Sequence, residues 1–233
     1  MNDTILEEQW KKYQNDNSGK IIEVDTVDIS TIRYIGGLDI SFDKIDPTKG
    51  CAFLSIYDLD SDKIVYEDHI LCNLTIPYIS GFLGFREIPE YMKLLNKCKT
   101  SNSIYPDVIM IDGFGILHHR CFGSASHIGF DANIPSIGVA KTLLCVDGLE
   151  EKTVKADFKA SCKNTGDYIK LIGTSGKTYG VAIKSAPLVE NPIFVSIGHK
   201  ISLESAIKLV TLTCKFRVPE PIRNSDIKSK LFF

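Results

Sequence analysis

The chain has 233 residues, of which 44% are hydrophobic and 24% charged, and its mean hydropathy of +0.02 is typical of a soluble globular protein. No apolar run approaches the roughly 18 residues that a membrane-spanning helix needs, and the polar, acidic start does not resemble a secretion signal. The net charge of -2 gives no whole-chain evidence for a nucleic-acid partner, although local cations could still hold one. Seven cysteines without a Cys-x-x-Cys pair predict neither disulfides nor a zinc site, and favour a reduced protein of the cytosol or nucleus.

The first third of the chain predicts a short helix followed by three antiparallel strands. Residues 4–14 form the helix. The segment Arg33–Phe42 alternates, so that Asp39 and its apolar neighbours fall on opposite faces, as a strand requires. Two more strand-like runs, Cys51–Tyr57 and Lys63–Cys72, are separated by an aspartate-rich turn.

A helix and a buried strand follow. Pro89 suits the first turn of the helix, and apolar residues then repeat at helical spacing at Tyr91, Leu94, Leu95 and Cys98. The continuously apolar run Asp107–Ile111 ends at Asp112 and predicts a central parallel strand.

The remaining chain predicts more strands and one more helix. A short strand covers Ile134–Gly138, and residues 150–166 are polar with weak periodicity, which favours a surface excursion. Ser202 can cap a last helix, and the polar tail from Pro219 onward is expected to be extended. Late strands are expected at Tyr168–Ile172, Tyr179–Ile183 and Ile193–Ile197.

No repeat, low-complexity tract or linker divides the chain, so we expect one domain over residues 1–233. Within it, 1–20 form an N-terminal helix and loop, and 224–233 form a flexible tail. Three antiparallel strands, a helix and a parallel strand match the ribonuclease H-like layout, an α/β fold whose mixed central sheet is flanked by helices. Strand order alone is weak evidence for any function.

Three carboxylates are candidates for catalysis, and each also has an ordinary structural interpretation. Asp39, taken alone, fits a solvent-facing side chain on a half-exposed sheet. Asp112 ends an apolar strand, where an unpartnered carboxylate is costly and where α/β folds collect ligand sites, but an Asp-Gly turn explains it equally well. Glu87 precedes the predicted helix, whose dipole favours an acidic residue.

Carboxylates that converge repel one another, so they take up a proton or bind a cation. Mg²⁺ and Mn²⁺ prefer oxygen ligands, and such ions activate water and hold a scissile phosphate. The residues themselves do not show that these carboxylates converge. His199, just before the last predicted helix, fits an ordinary loop histidine as well as a catalytic one.

Other segments fit contacts with nucleic acid. The turn Pro77–Leu83 presents Tyr78, either as a packed side chain or as a wedge that stacks where a base has been turned out. Lys141 can meet a phosphate or remain solvated, and His118–Arg120 favours backbone contact over metal binding. The glycine-rich runs at 112–115 and 123–129 are weak evidence for a phosphate cradle, and the lack of G-x-x-x-x-G-K excludes a P-loop.

Seven motif blocks follow one another along the chain, at Gly37–Phe42, Pro77–Glu87, Pro106–Arg120, Gly123–Gly129, Pro135–Lys141, Val195–His199 and Pro219–Arg223. The same order is found in the endonuclease V family, which the chain resembles from about residue 33 to residue 227. The resemblance implies a ribonuclease H-like fold. It also implies hydrolysis of the second phosphodiester bond 3′ to hypoxanthine, with Mg²⁺ as cofactor and Mn²⁺ as a substitute.

The resemblance also implies roles for individual residues. Asp39 and Asp112 resemble the direct metal ligands, with Glu87 as a further ligand and His199 as a remaining catalytic residue. Lys141 resembles the lysine near the cleaved phosphate. The implied substrate-binding positions are the wedge Tyr78 together with Gly81, Leu83, Gly113, His118, Arg120, Gly123 and Gly138.

Some positions depart from the bacterial pattern of the family. Ser80 and His119 stand where bacterial members have proline, and the tail has Arg223–Asp226 in place of an Ala-His ending. These variants resemble the eukaryotic branch, which implies single-stranded RNA that contains inosine as the substrate, with deoxyinosine in DNA as the alternative. A non-catalytic nucleic-acid-binding module is a further alternative. We expect a monomer in the cytoplasm, the nucleus or the nucleolus, without a membrane partner.

Overall fold

A computed structural model describes residues 3–101 and 104–233. The helices in these residues are α1 (Asp3–Ser18), α2 (Leu83–Ser101), α3 (Ser124–Ala132), α4 (Glu151–Ser161), α5 (Leu203–Thr213) and α6 (Glu220–Ser229). The strands are β1 (Tyr34–Phe42), β2 (Lys49–Asp58), β3 (Lys63–Asn73), β4 (Val108–Asp112), β5 (Ser136–Ala140), β6 (Tyr168–Ile172), β7 (Thr178–Ile183) and β8 (Ile193–His199). Short 3-10 turns cover Ile29–Thr31 and Lys230–Phe232.

All eight strands join one mixed sheet in the order β3-β2-β1-β4-β5-β8-β7-β6. The meander β1-β2-β3 is antiparallel, β4 is parallel to both β1 and β5, and β8, β7 and β6 continue antiparallel from β5. The ribonuclease H-like layout predicted from the sequence is therefore confirmed, and the ends of β1, β4 and β5 lie side by side.

Helices cover both faces of this sheet, because successive strand residues point to opposite sides. Leu38 and Ile111 pack with apolar residues of α2 and α3 in one buried cluster. On the other face, Ile35 and Met110 pack with residues of α5 and α6. A third cluster joins α4 to β6, β7 and β8, so residues 150–166, which were expected to be a surface excursion, contain a packed helix.

The C-terminal segment also differs from the prediction, because the expected extended tail forms helix α6. This helix lies so close to β1 that a Cβ atom on Gly37 would come within 2.1 Å of the Pro221 carbonyl carbon. The Ser225 hydroxyl donates to the Gly37 carbonyl at 2.9 Å, and the hydroxyls of Ser41 and Ser229 lie 2.7 Å apart. Buried hydroxyl groups therefore hold α6 on the sheet. Because these contacts are polar, the spacing of apolar residues in the sequence does not predict the helix.

None of the helices in the described part of the chain is long and apolar enough to cross a bilayer. The seven cysteines are all free thiols.

Candidate active site

Two of the predicted carboxylates are neighbours across a parallel strand pair. Leu38 of β1 pairs with Ile111 of β4, so Asp39 and Asp112 occupy the next position on backbones about 5 Å apart. Because side chains alternate along a strand, both carboxylates point to the face that α6 covers. The predicted convergence of Asp39 and Asp112 therefore follows from the strand register.

Glu87 completes a group of three carboxylates whose charges act on one another. Its side chain is almost fully buried in α2, and the Tyr91 hydroxyl donates to its Oε2 at 3.4 Å. Burial and then the charge of Asp39 raise the pKa of Glu87 to about 8. Burial and then the charge of Asp112 raise the pKa of Asp39 to about 8. Helix α2 begins at Leu83, so Glu87 lies inside the helix and not ahead of it as predicted.

A fourth carboxylate, that of Asp226, was missed by the sequence analysis. It lies on α6, and its charge contributes to the raised pKa of Asp39. It also influences Lys141, whose ammonium group donates to Asp112 Oδ2 at 2.5 Å. Asp226 can be recognised as a site residue only once the tail is known to be helical, because it lies four residues after the buried Ile222 on a helix that Ser225 and Ser229 hold in place.

The donor chemistry of this group fits a divalent cation. Lys141 lies near Asp39, Asp112 and Asp226, Arg86 acts on Glu87, and Lys230 pairs with Asp226. Four carboxylates therefore face three cationic side chains, and negative charge exceeds positive charge. Carboxylate oxygens are the ligands that Mg²⁺ prefers, and a cation would favour the ionised forms of Asp39 and Glu87. Within residues 3–101 and 104–233, no three His, Cys, Asp or Glu side chains are already gathered as a metal cluster. The site therefore suits a divalent cation because its donor atoms are carboxylate oxygens, although they are not already arranged as a metal-binding cluster.

The raised pKa values predict how the metal-free protein responds to pH. Folded-state pKa values of about 8 for Asp39 and Glu87 exceed the ordinary values near 4 of an unfolded chain. The stability that these groups contribute is therefore present below about pH 4 and is lost as the pH rises toward 8. Because an amide does not titrate, we expect the melting temperature of Asp39→Asn in EDTA, relative to wild type, to rise across this window. We also expect Mg²⁺ to stabilise the wild type more at high pH. A constant difference between the two proteins in EDTA would contradict the first expectation, and a stabilisation by Mg²⁺ that does not change with pH would contradict the second.

A cavity of about 630 Å³ opens beside Asp112 and Lys141. Tyr78, on its rim, is 65% exposed. A Cβ on Gly113 would come within 2.4 Å of Ser124 Oγ, and one on Gly123 within 2.3 Å of the Phe114 carbonyl oxygen, so backbone forms part of the wall. The predicted substrate-binding residues that line the cavity are Tyr78, Gly81, Leu83, Gly113, His118, Arg120 and Gly123.

Gly138, the remaining predicted substrate-binding residue, is not among the residues that line the cavity. A Cβ at this position would come within 2.4 Å of the Gly115 nitrogen. The absence of a side chain therefore lets the loop after β4 lie directly on β5. Gly138 therefore supports the cavity wall from behind, and the structure does not bring it to the cavity surface with the other predicted positions.

His118 and Arg120 hold the turn of the cavity wall instead of presenting free cations. His118 Nε2 lies 3.0 Å from the Gly81 carbonyl oxygen, and burial, followed by the charge of Arg120, lowers the pKa of His118 to about 4. The ring is therefore neutral at pH 7 and donates to Gly81. The Arg120 guanidinium donates to the same oxygen at 3.1 Å and to Gln14 Oε1 at 2.5 Å. The predicted contact with a nucleic-acid backbone fits neither side chain as it stands.

The N-terminal helix α1 supports the cavity, a role that no pattern in the sequence indicates. Gln14, which lies on α1 and lines the cavity, donates to the carbonyl oxygens of Gly81 and Phe122 at 3.0 and 3.1 Å. Trp10 stacks on Phe85 at 4.9 Å between ring centroids. Helix α1 is therefore part of the site and not only an appendage of the domain.

His199 lies at the opposite end of the sheet from the carboxylates. Strand β8 is antiparallel to β5, so His199 pairs with Ser136 at the start of β5, whereas Asp112 pairs with Val139 near its end. Its Nδ1 accepts a hydrogen bond from the Ile22 backbone N–H at 3.3 Å. The prediction that His199 joins the catalytic residues is therefore corrected, because strand direction carries it away from them.

A ribonuclease H-like sheet with clustered carboxylates and a lysine beside a backbone-walled cavity defines a nuclease type of site. The endonuclease V family model matches residues 16–227. Human endonuclease V is 38% identical over 228 residues, which cover 95% of this chain and 81% of the human protein. Its crystal structure has a TM-score of 0.91 at 37% identity, covering 97% of both chains.

A solved structure from Ciona intestinalis shows a similar likeness. This endonuclease V variant, in complex with a 23mer DNA containing an inosine followed by a ribo-adenosine, has a TM-score of 0.94 at 35% identity. The match covers 100% of this chain and 98% of that one. The chain belongs to the endonuclease V family, and it is an endonuclease.

Proposed function

We propose that the protein is a metal-dependent endoribonuclease that hydrolyses the second phosphodiester bond 3′ to inosine in single-stranded RNA, with Mg²⁺ as its cofactor. The observation that carries this proposal is the position of the cavity. It opens directly on Asp112 and Lys141, so a base held there places the following phosphates next to the carboxylates.

The cavity wall supports recognition of hypoxanthine by hydrogen bonding. Hypoxanthine presents an acceptor at O6 and a donor at N1, and adenine presents the opposite pattern on that edge. Backbone groups near Gly113 and Gly123 have fixed positions, because neighbouring atoms leave no room for a side chain there. A wall of this kind leaves mispaired polar groups against adenine, which can discriminate by about 10⁴-fold or more.

The residues around the reacting phosphate have different roles. Asp39, Glu87, Asp112 and Asp226 would hold the cation, which when bound activates a water and stabilises charge on the phosphate. Lys141 is held beside Asp112 by its hydrogen bond and brings a positive charge to the phosphate oxygens. Tyr78 stands exposed at the rim of the cavity and supplies an aromatic face against the neighbours of the turned-out base.

Two observations support RNA as the substrate. Ser80, His119 and the tail around Asp226 have the variants of the eukaryotic branch. Both Ser80 and His119 line the cavity. The DNA in the Ciona intestinalis complex carries a ribo-adenosine after its inosine. A 2′-OH next to the cut is the group that distinguishes RNA from DNA.

A DNA repair endonuclease that acts on deoxyinosine is the second candidate. The Ciona intestinalis complex favours this candidate as well, because the oligonucleotide bound in it is DNA apart from the one ribo-adenosine. Both candidates use the same cavity and the same carboxylates, so the rates on matched substrates separate them.

The test uses end-labelled RNA and DNA strands, each with one hypoxanthine, and matched strands with adenine. We expect the RNA to be cut one nucleotide past the inosine in Mg²⁺ or Mn²⁺ and to remain intact in EDTA. Cleavage of the DNA alone would transfer the proposal to repair. Binding of the inosine strand without any metal-dependent cleavage would instead favour a non-catalytic module.

We expect Tyr78→Ala to raise KM for the inosine strand about tenfold, because stacking on one base contributes roughly 1–3 kcal/mol. Tyr78→Phe retains the aromatic face and should stay near the wild-type value. The measurement is steady-state cleavage by the two variants side by side. Equal effects of the two substitutions would show that the hydroxyl matters and that stacking does not.

We expect Asp226→Asn to lower the cleavage rate about 10²-fold, because it removes one of the charges that surround the cation. The Lys230 ammonium lies 2.6 Å from Asp226 Oδ1, so Lys230→Ala serves as a control for loss of that ion pair alone. Single-turnover rates over a range of Mg²⁺ concentrations measure both. If the two variants behave alike, Asp226 acts through its pairing with Lys230 and not through the cation.

A further inference from the structure

A second groove lies on the other side of the carboxylates from the base cavity. It has a volume of about 710 Å³ and shares no lining residue with that cavity. The end of β1, the turn after it and the C-terminal 3-10 turn form its walls. Its lining includes Asp39, Phe42, Lys44, Ile45, Asp226 and Phe233.

Apolar side chains of this groove are left open to water. Ile45 is 95% exposed at the tip of its turn, and Phe233 is 45% exposed. Phe42 is half-buried, with the Arg86 guanidinium carbon 4.8 Å from its ring centroid. Single exposed apolar residues are ordinary, but several that line one groove beside a catalytic group indicate a surface that a ligand covers.

The charged groups around these side chains differ in how far they are already engaged. Asp43 accepts hydrogen bonds from the N–H groups of Ile45 and Asp46 at 2.6 and 2.9 Å, so its carboxylate closes the turn. Lys230 is paired with Asp226. Lys44 is exposed and makes no ion pair within residues 3–101 and 104–233. Aromatic faces next to such a lysine are the combination that single-stranded nucleic acids bind.

The groove also continues the path that the proposed function gives to the substrate. An inosine in the base cavity lies 5′ to the cut bond, and the cut phosphate lies at the carboxylates. The strand beyond the cut then leaves on the side of Asp39 and Asp226, both of which line the groove.

We propose that this groove is the binding subsite for the nucleotides on the 3′ side of the cut bond. Bases stack on Phe42 and Phe233 and pack against Ile45, and Lys44 contacts a phosphate of the same segment. The assignment rests on the proposed function for the direction of the strand. The groove adds affinity for any base sequence, because stacking uses the face that all bases share.

The test compares inosine RNAs with the same 5′ arm and different 3′ arms. One strand ends with the nucleotide next to the cut bond, and the other extends several nucleotides further. We expect the wild type to have a KM about tenfold lower for the long strand. In Ile45→Ala/Phe233→Ala and in Lys44→Ala this preference shrinks toward equality. Leu188→Ala is the matched control, since Leu188 is a 97% exposed apolar residue outside the groove, and it should keep the full preference.

Binding of the same strands in EDTA, measured by fluorescence anisotropy, separates this inference from the proposed function. Tighter binding of the long strand, lost in the groove variants, supports the subsite even if no strand is cut. Equal affinity for both strands overturns it, even if cleavage after inosine is confirmed. A second pair of strands has the same 3′ arm and 5′ arms of different length. If their affinities differ and the groove variants remove that difference, the assigned direction is overturned.

Discussion

Asp39→Asn is expected to lower the cleavage rate by about 10³-fold or more while the protein keeps its fold and its affinity for the inosine strand. Asparagine retains the size of the side chain but removes its charge and one of its two ligand oxygens. Asp39 is next to Asp112 in the strand register, and its pKa is raised by burial and then by the neighbouring carboxylates, so a bound cation would stabilise its ionised form. Single-turnover cleavage and anisotropy binding measure the two properties separately.

Asp157→Asn is the matched control for this substitution. Asp157 is an exposed aspartate on α4, so the same chemical change there should leave cleavage at the wild-type rate. A loss of less than about tenfold in Asp39→Asn would remove this carboxylate from the reaction. The metal would then have to be held by Asp112, Glu87 and Asp226 alone.

The second large effect is expected from Gly37→Ala, which adds one methyl group between β1 and α6. The new Cβ would meet the Pro221 and Ile222 backbone at 2.1–2.4 Å, and backbone cannot give way as the end of a side chain can. We expect a loss of about 3 kcal/mol in the free energy of unfolding, which lowers the melting temperature by roughly 6–12 °C. Cleavage should fall as well, because the displaced helix carries Asp226.

Gly19→Ala tests whether the position of the methyl group is the cause. A Cβ at Gly19 meets nothing within 4 Å, and no strained backbone conformation is involved, so this variant should melt like the wild type. Thermal unfolding and cleavage of the inosine strand are measured for both variants. A Gly37→Ala protein with unchanged stability and activity would mean that α6 can move away from β1 without consequence.

The sheet and two of its carboxylates could be predicted because their determinants are local. Alternation around Asp39 and the continuous apolar run before Asp112 are properties of short segments, and both strands lie close to their predicted positions. Their convergence then depends only on the two strands being parallel neighbours. The start of α2 was placed too late because Pro89 suits a first turn, whereas the helix begins six residues earlier at Leu83.

The parts that could not be predicted depend on direction and on side-chain hydrogen bonds. His199 ends a strand just as Asp112 does, but no local pattern shows that β8 runs antiparallel to β5. Helix α6 lacks a strong apolar stripe, because Ser225 and Ser229 make its buried contacts through hydroxyl groups. Asp226 was missed for that reason.

The dependence of the site on α6 also sets an order of events during synthesis. Residues up to α5 leave the ribosome before α6 does, and they already include the base cavity and Asp39, Glu87 and Asp112. Helix α6 docks through hydroxyl groups that need the finished surface of β1 and β2, such as the contact of Ser225 with Ser55. A nascent chain at this stage contains all the residues that line the cavity but lacks the fourth carboxylate, that of Asp226. Under the proposed function, the residues that hold the base are therefore synthesised before the set of carboxylates is complete.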